Sequence, residues 1–197
     1  MRTNRQSRNN FGVVLLISEL MRNDRLPPVT LGLIILQILI FMGHILPNTS
    51  LEYVCISAYG IIHSKQWIRL VLSQFFHADD WHLYYNMSSF AVKGRSLEQR
   101  HGSVYFLALI ALFSVSCSCV LVALELLASR ALDETKYLHT CAVGFSAVIF
   151  ALKVLTTHDL PAGTNYIFGT IPVPSKYIYW VELVIISFVT PNASFAG

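Results

Sequence analysis

Five long apolar segments, separated by polar stretches, dominate the pattern of the chain. They cover about residues 29–46, 81–97, 103–128, 142–155 and 176–190. A helix needs about 20 predominantly apolar residues to cross the hydrocarbon core of a bilayer. The segment 142–155 is short for a span, so it either continues a little at its ends or ends inside the protein. The pattern predicts an all-α, polytopic membrane protein.

The composition supports this class. Only 13% of the residues are charged and 54% are hydrophobic, whereas a soluble domain carries roughly 25% charged residues. The formal net charge of +3 is too small to indicate binding to nucleic acid, so no nucleic-acid partner is predicted. The positions of the charges carry more information than their sum.

A shorter apolar stretch, residues 11–21, follows Arg2, Arg5 and Arg8 near the N-terminus. About eleven residues are too few to span a bilayer. Charged residues follow the stretch without a small-residue cleavage site, which argues against a signal peptide. We predict a short amphipathic helix on the cytosolic face. Residues 1–26 then form a cytosolic N-terminal segment, and residues 27–197 form the membrane domain.

The distribution of positive charges predicts the orientation of the five segments. With the N-terminus in the cytosol, 10 Lys and Arg residues lie on the cytosolic side and 4 on the other side, as the positive-inside rule requires. In this arrangement the segments that begin at residues 81 and 142 both start on the lumenal or extracellular side. His82 and Ser146 then lie on the same side at a similar depth, and Ser146 lies about 6 Å below the start of its helix.

The long first loop, residues 47–80, mixes apolar and polar positions, and we predict that part of it forms a helical hairpin in the interface. Cys55 and Cys141 fall on the same side, so a disulfide between them is an open possibility. The sequons at Asn48 and Asn192 fall on that side as well, and their use is also open. The four cysteines show no metal-binding spacing, so neither a metal nor a cofactor is predicted.

Three polar residues inside apolar segments are the candidates for chemistry. Ser146 follows Gly144-Phe145 in an apolar run, and His82 and Asn86 lie four residues apart on one helix face. A His–Asn pair beside an attacking serine is suited to donate hydrogen bonds to an oxyanion. Gly144, which lacks a Cβ, would let a neighbouring chain approach closely. The alternative is purely structural, because Ser, His and Asn also commonly hydrogen-bond between membrane helices.

These residues carry a resemblance to a known family. Gly144-Phe145-Ser146-Ala147 resembles the Gly-x-Ser-Gly/Ala nucleophile motif of the rhomboid intramembrane serine proteases, and His82-xxx-Asn86 is similar to the oxyanion pair of that family. His77 matches a further family histidine five residues before His82. The resemblance covers about residues 10–197, and stretches such as 77–84 and 141–146 are similar to an endoplasmic-reticulum member of the family.

The resemblance implies a fold of six core helices, of which five are present. It implies a serine endopeptidase that hydrolyses transmembrane protein substrates within the lipid bilayer, without metal or cofactor. Ser146 would be the nucleophile. His82, Asn86 and the N–H of Ser146 would bind the oxyanion, and Gly144 and His77 would have supporting roles. The resemblance also implies a multi-pass protein of the endoplasmic reticulum with a role in protein quality control.

The family's general base is a histidine at the start of the sixth helix, and the sequence ends at Gly197, directly before that position. The other histidines, His139 included, are poor substitutes, because they lie in loops or on the cytosolic side. We therefore expect the chain to be truncated and inactive, and the complete protein to continue with a histidine. Contacts with ubiquitin or an unfolding ATPase, which the resemblance implies for a cytosolic tail, depend on that tail as well.

Two other functions remain as alternatives. A rhomboid-like pseudoprotease would bind membrane client proteins without cleaving them, but it would have no need for the Gly-x-Ser motif and the His–Asn pair together. A channel or transporter is poorly supported, because the sequence shows no ring of charges and no inverted repeat.

Overall fold

The computed structural model describes residues 10–22, 26–158, 163–167, 171–174 and 177. This part of the chain is mostly helical. Its α-helices are α1 (Phe11–Arg22), α2 (Pro28–Phe41), α3 (Leu51–Val54), α4 (Ala58–Ile62), α5 (Arg69–Leu72), α6 (Asp80–His101), α7 (Ser103–Ala131) and α8 (Ser146–His158). Two 3₁₀ helices, Ser73–Phe75 and Thr135–His139, follow α5 and α7.

The helices predicted at 81–97 and 103–128 are confirmed as α6 and α7, each a few residues longer than predicted. Among the described residues, α7 is the one helix that is both long and apolar enough to cross a membrane. The apolar helices α2 and α8 are shorter, with 14 and 13 residues. Apart from Tyr177, the predicted helix at 176–190 lies outside the described residues.

Helix α2 ends earlier than the predicted segment 29–46. It stops at Phe41 and continues as a turn in which Gly43 has a φ of +77°. Such a left-handed glycine after the last turn is a common way for a helix to end. The first apolar segment therefore contains a helix and an irregular C-terminal part.

Helix α6 lies at the centre of the fold and packs against α1, α2, α7 and α8. Its side chains Leu83, Met87 and Phe90 have no exposed surface and share one apolar core with Phe145 and Leu152. This core fixes the distance between the start of α6 and the chain that enters α8.

One buried carboxylate joins three helices at the C-terminal end of α6. Glu98 accepts hydrogen bonds from the N–H groups of Val29 (2.9 Å) and Thr30 (2.7 Å) at the start of α2. It also accepts the hydroxyls of Thr30 and Ser103, both at 2.7 Å, and Ser103 is the first residue of α7. The free N–H groups at a helix start are satisfied in this way by a side chain from another helix.

The predicted N-terminal helix is present as α1, but it does not lie alone on a surface. It runs alongside α6, with Gly12 and Val13 donating their N–H groups to the carboxylate of Asp80, and Ser88 donating its hydroxyl to Glu19 at 2.8 Å. A Cβ on Gly12 would lie 2.8 Å from the Asp80 carbonyl oxygen. The glycine thus permits a close approach that places the start of α1 at the N-terminal end of α6.

The structure corrects the all-α prediction at one point. The stretch between the last two predicted helices, residues 156–175, contains a two-stranded antiparallel hairpin, formed by β1 (Thr164–Ile167) and β2 (Ile171–Pro174). Both strands contain β-branched or aromatic residues, which favour strand formation. The first loop forms the short helices α3 to α5, in agreement with a partly helical loop.

Candidate active site

Ser146 is the first residue of α8, and the chain reaches it in an extended conformation. Ala142 forms an isolated antiparallel bridge with Ile56 in the first loop. The sequence predicts a helix that begins at residue 142, so the predicted depth of Ser146, four residues inside its helix, is wrong. Gly144, with a φ of +121°, prevents an earlier helix start, because this conformation is not helical. Ser146 instead lies at the N-terminal end of α8, near the partial positive charge of the helix dipole.

Gly144 touches the ring of His82. A Cβ built on Gly144 would lie 2.7 Å from both Cε1 and Nε2 of His82 and 3.9 Å from Nδ2 of Asn86. The structure therefore brings the predicted His–Asn pair of α6 next to the Gly-x-Ser motif. Only glycine fits here, since the backbone conformation and the space both exclude a side chain.

The first two turns of α6 carry both members of the pair. Asp79 accepts the N–H of His82 at 2.8 Å and so caps the helix. Asn86 donates from Nδ2 to the carbonyl of His82 at 2.9 Å, and only 7% of its surface is exposed. An amide nitrogen carries two hydrogens, so Asn86 keeps a second N–H for another acceptor.

The hydroxyl of Ser146 is buried and has no hydrogen-bond partner among the described residues. The bond from Asn86 stays within its own helix. Interhelical hydrogen bonding, the structural alternative, would require a bond from one of these side chains to a neighbouring helix. An unpaired buried hydroxyl is costly, and such exceptions need an explanation such as a catalytic role.

His77 lies beside the pair, just before α6. Its ring meets the ring of His82 edge-on, with 5.1 Å between the ring centroids. It is 2% exposed, and neither ring nitrogen has a partner among the described residues. Burial, and secondly the neighbouring His82, hold the pKa of His77 well below its ordinary value. His77 is therefore neutral near pH 7.

The remaining described histidines lie away from this cluster. His63 and His139 are exposed, and both rings contact Tyr59, His63 stacked at 5.0 Å between ring centroids and His139 tilted at 4.6 Å. His44 and His101 are exposed as well. In the described residues, no group of three or more His, Cys, Asp or Glu side chains is arranged to hold a metal ion.

Several residues of the first loop border the motif, and the sequence did not single them out. The Ser73 carbonyl accepts the N–H of Gly144 at 3.0 Å. Gln74 donates to the Ser118 hydroxyl at 2.8 Å, while its Oε1 is buried without a partner among the described residues. Both residues line a cavity of about 30 Å³ that also reaches Gly144 and Ala147. The only sign of these contacts in the sequence was that Ser73 and Gln74 are polar residues among the apolar positions of the first loop.

A disulfide joins Cys55 to Cys141, with 5.3 Å between the Cα atoms. This pairing was one of the possibilities that the sequence left open. Cys117 and Cys119 on α7 are free thiols, of which Cys117 is half-buried and Cys119 exposed.

A helical fold with this arrangement of serine, histidine and asparagine defines a class, and comparison with known proteins gives its name. The family model for the Rhomboid domain matches residues 64–197. The chain is 43% identical over 196 residues to Rhomboid-related protein 4 of Homo sapiens, covering 98% of this chain and 61% of the relative. The corresponding mouse protein is 42% identical over 190 residues, covering 95% of this chain and 59% of the relative.

A plant relative is more distant. Rhomboid-like protein 14, mitochondrial, of Arabidopsis thaliana is 33% identical over 187 residues, covering 92% of this chain and 55% of the relative. The chain thus spans about three fifths or less of the length of these relatives. It belongs to the rhomboid family, which confirms the resemblance seen in its motifs.

Proposed function

We propose that the complete protein is an intramembrane serine endopeptidase that cleaves transmembrane protein substrates. The observation that carries the proposal is the buried Ser146 hydroxyl. It has no partner among the described residues and lies at the start of α8, two residues from the glycine that touches His82. Membership of the rhomboid family, which consists generally of serine intramembrane proteases, supports the same reaction.

In this mechanism the Ser146 oxygen attacks the scissile carbonyl carbon and loses its proton to a general base. The base that the family resemblance implies is a histidine following Gly197, so the proposal concerns the complete protein. The carbonyl oxygen becomes an oxyanion, the amine leaves with a proton, and water then hydrolyses the acyl-enzyme.

His82, the second N–H of Asn86 and the N–H of Ser146 bind the oxyanion. The first N–H groups of a helix have no acceptor within the helix, and Phe145, which precedes Ser146, has no polar side chain that could satisfy them. The amides at the start of α8 are therefore available to an oxyanion, which the helix dipole also stabilises.

We propose that the protein crosses the membrane several times and that the N-terminal end of α6 faces the lumen of the endoplasmic reticulum. The disulfide at this end suits an oxidising compartment. Residence in the endoplasmic reticulum and a role in quality control rest on the family resemblance, as do contacts of a cytosolic tail with ubiquitin or an unfolding ATPase. The plant relative is named as mitochondrial, so fractionation of cells that express the complete protein is the test of location.

Cleavage of a single-span model substrate by the complete protein in liposomes tests the proposed reaction. Ser146→Ala is expected to abolish cleavage. Asn86→Ala and His82→Ala are each expected to lower kcat by about 10²–10³-fold, because an oxyanion donor contributes about 2.7–4 kcal/mol to the transition state. Ser116→Ala, which removes an exposed hydroxyl of α7, is the control and is expected to leave cleavage unchanged.

The outcomes separate the candidate functions. Wild-type rates in both Asn86→Ala and His82→Ala would show that these residues only hold helices together. Binding of the substrate by a stable wild-type protein without any cleavage would favour a pseudoprotease.

A further inference from the structure

The first loop is joined to the chain that leads to Ser146 at two adjacent residues of each segment. Cys55 is bonded to Cys141. The next residues, Ile56 and Ala142, exchange two backbone hydrogen bonds of 2.9 Å and 3.1 Å. The disulfide and this bridge act on the same short stretch, which begins five residues before Ser146.

A third contact fixes the same stretch closer to the serine. The N–H of Gly144 donates to the carbonyl of Ser73 at 3.0 Å. Residues 141–144 are therefore attached to the first loop along their whole length. The conformation of Gly144, which sets its approach to His82, depends on this attachment.

The first loop is itself held in place by hydrogen bonds, so its contacts also hold residues 141–144 in place. Arg69 donates from Nη1 to the carbonyl of Cys55 at 2.8 Å. The N–H of Ala58 donates to the buried carboxylate of Glu125 on α7 at 2.6 Å. The segment that carries Cys55 is thus bound to the rest of the first loop and to α7.

We propose that the Cys55–Cys141 disulfide is a positioning crosslink for the catalytic serine, so that its reduction lowers the turnover of Ser146. The proposal rests on the proposed function. A misplacement of about 1 Å can cost about 10²-fold in rate, and the crosslink holds the backbone that sets Gly144 and Ser146. The substrate helix does not have to contact the disulfide for this effect.

The disulfide is open to a reductant from one side. Cys141 is exposed, whereas Cys55 is 4% exposed. A thiolate of dithiothreitol attacks the sulfur of Cys141 and releases the Cys55 thiolate, which takes up a proton. The second thiol of the reagent then closes a ring and releases Cys141 as a thiol. Two electrons and two protons pass from the reagent to the protein, and the reagent becomes a cyclic disulfide.

The test uses the complete protein in liposomes, in a background in which every cysteine except Cys55 and Cys141 is replaced by serine. Free thiols are counted by the gel shift with a maleimide polymer, and kcat and KM are measured with a single-span substrate. Increasing dithiothreitol is expected to expose two thiols and to lower kcat at least tenfold, with KM unchanged within about twofold. Reoxidation is expected to restore kcat.

Cys55→Ser/Cys141→Ser in the same background is expected to have the kcat of the reduced protein, and dithiothreitol is expected to leave this kcat unchanged. Cys119→Ser in the otherwise wild-type protein, which leaves the disulfide intact, is the matched control and should behave as the wild type. All rates are taken well below the melting temperature of each variant, so that lost stability alone does not change them. A melting temperature that falls while kcat stays at the parent value would show a purely structural crosslink and overturn the proposal.

Hydrogen exchange separates failure of this proposal from failure of the proposed function. The amides of residues 142–148 are expected to exchange at least tenfold faster after reduction, whether or not the protein cleaves a substrate. Unchanged exchange in these residues would overturn the positioning role. Two free thiols in the protein before any reductant is added would show that the crosslink does not form.

Discussion

At the scale of single residues, Gly144 carries the strictest requirement of the site. Its φ of +121° is a conformation that residues with a side chain rarely adopt, and a Cβ would collide with the ring of His82. The same residue also donates its N–H to the first loop. Three constraints meet at one position, so the geometry of Ser146 is expected to be sensitive to any change there.

Gly144→Ala is therefore expected to lower the cleavage rate at least tenfold and to destabilise the fold by about 1–3 kcal/mol. The added methyl either pushes His82 away or changes the backbone before Ser146. Gly32→Ala is the control, because that helical glycine of α2 has nothing within 4 Å of an added Cβ. It should keep full activity and melt at the same or a higher temperature. Equal activity of the two variants would contradict the close contact.

His77 predicts a dependence of stability on pH. Its pKa in the folded protein lies well below the ordinary value of 6.5, because the ring is buried and faces His82. Below about pH 6.5 the unfolded chain takes up a proton that the folded protein does not. The contribution of His77 to stability is therefore constant above that pH and falls as the pH decreases, by about 1.4 kcal/mol per pH unit at most.

Melting temperatures of wild type and His77→Gln in detergent between pH 5 and 8 measure this effect. The wild type is expected to lose more stability than His77→Gln as the pH falls. His63→Gln, at an exposed position, should follow the wild type. Parallel curves for wild type and His77→Gln would show that the buried ring takes up its proton as readily as the unfolded chain does.

At the scale of helices and loops, the sequence predicted which segments are helical better than where they begin. Periodicity and apolar length located α6 and α7 correctly. The start of α8 at Ser146 was missed because residues 142–145 are apolar in either conformation. Their extended form is set by contacts with Ile56 and Ser73, which are distant in sequence. The His–Asn pair could be recognised because residues four apart lie on one face of a helix. No comparable spacing rule predicts that the first loop contacts residues 142–144.

Glu98 caps the start of α2 and also contacts the start of α7. Its carboxylate satisfies N–H groups at the start of α2 and the hydroxyl of the first residue of α7. Glu98→Ala would leave buried donors at α2 unpaired and is expected to cost about 2–4 kcal/mol of stability. Thermal unfolding in detergent measures the loss.

Gln99→Ala changes the exposed neighbour of Glu98 and serves as the control, with a shift of less than about 0.5 kcal/mol expected. Because Glu98 lies at the end of α6 opposite to His82, kcat well below the melting temperature should remain unchanged in both variants. A stable Glu98→Ala protein would mean that water or another side chain satisfies the helix starts.

At the scale of the whole molecule, the position of α1 changes the argument about orientation. Charge counting predicts a cytosolic N-terminus, with 10 positive residues on that side against 4 on the other. The hydrogen bonds of Gly12 and Val13 to Asp80 place the start of α1 at the N-terminal end of α6. These contacts are specific, whereas the charge rule is statistical, so we expect the start of α1 to lie on the same side of the membrane as the start of α6.

Cysteine labelling in sealed microsomes tests this arrangement. Asn10→Cys, at an exposed position beside α1, is expected to react from the same side as Lys65→Cys in the first loop. Gly102→Cys, in the exposed turn between α6 and α7, is expected to react from the opposite side. Reaction of Asn10→Cys from the side of Gly102→Cys would restore the charge-based prediction and contradict the packing of α1 along α6.

The central claim is that Ser146 is an activated nucleophile, and labelling with a fluorophosphonate tests it most directly. The complete protein in liposomes is treated with the probe, digested and mapped by mass spectrometry. We expect the probe on Ser146, at least tenfold slower labelling in Asn86→Ala, and none in Ser146→Ala. A probe attached to another serine, or cleavage of substrate that persists in Ser146→Ala, would contradict the claim.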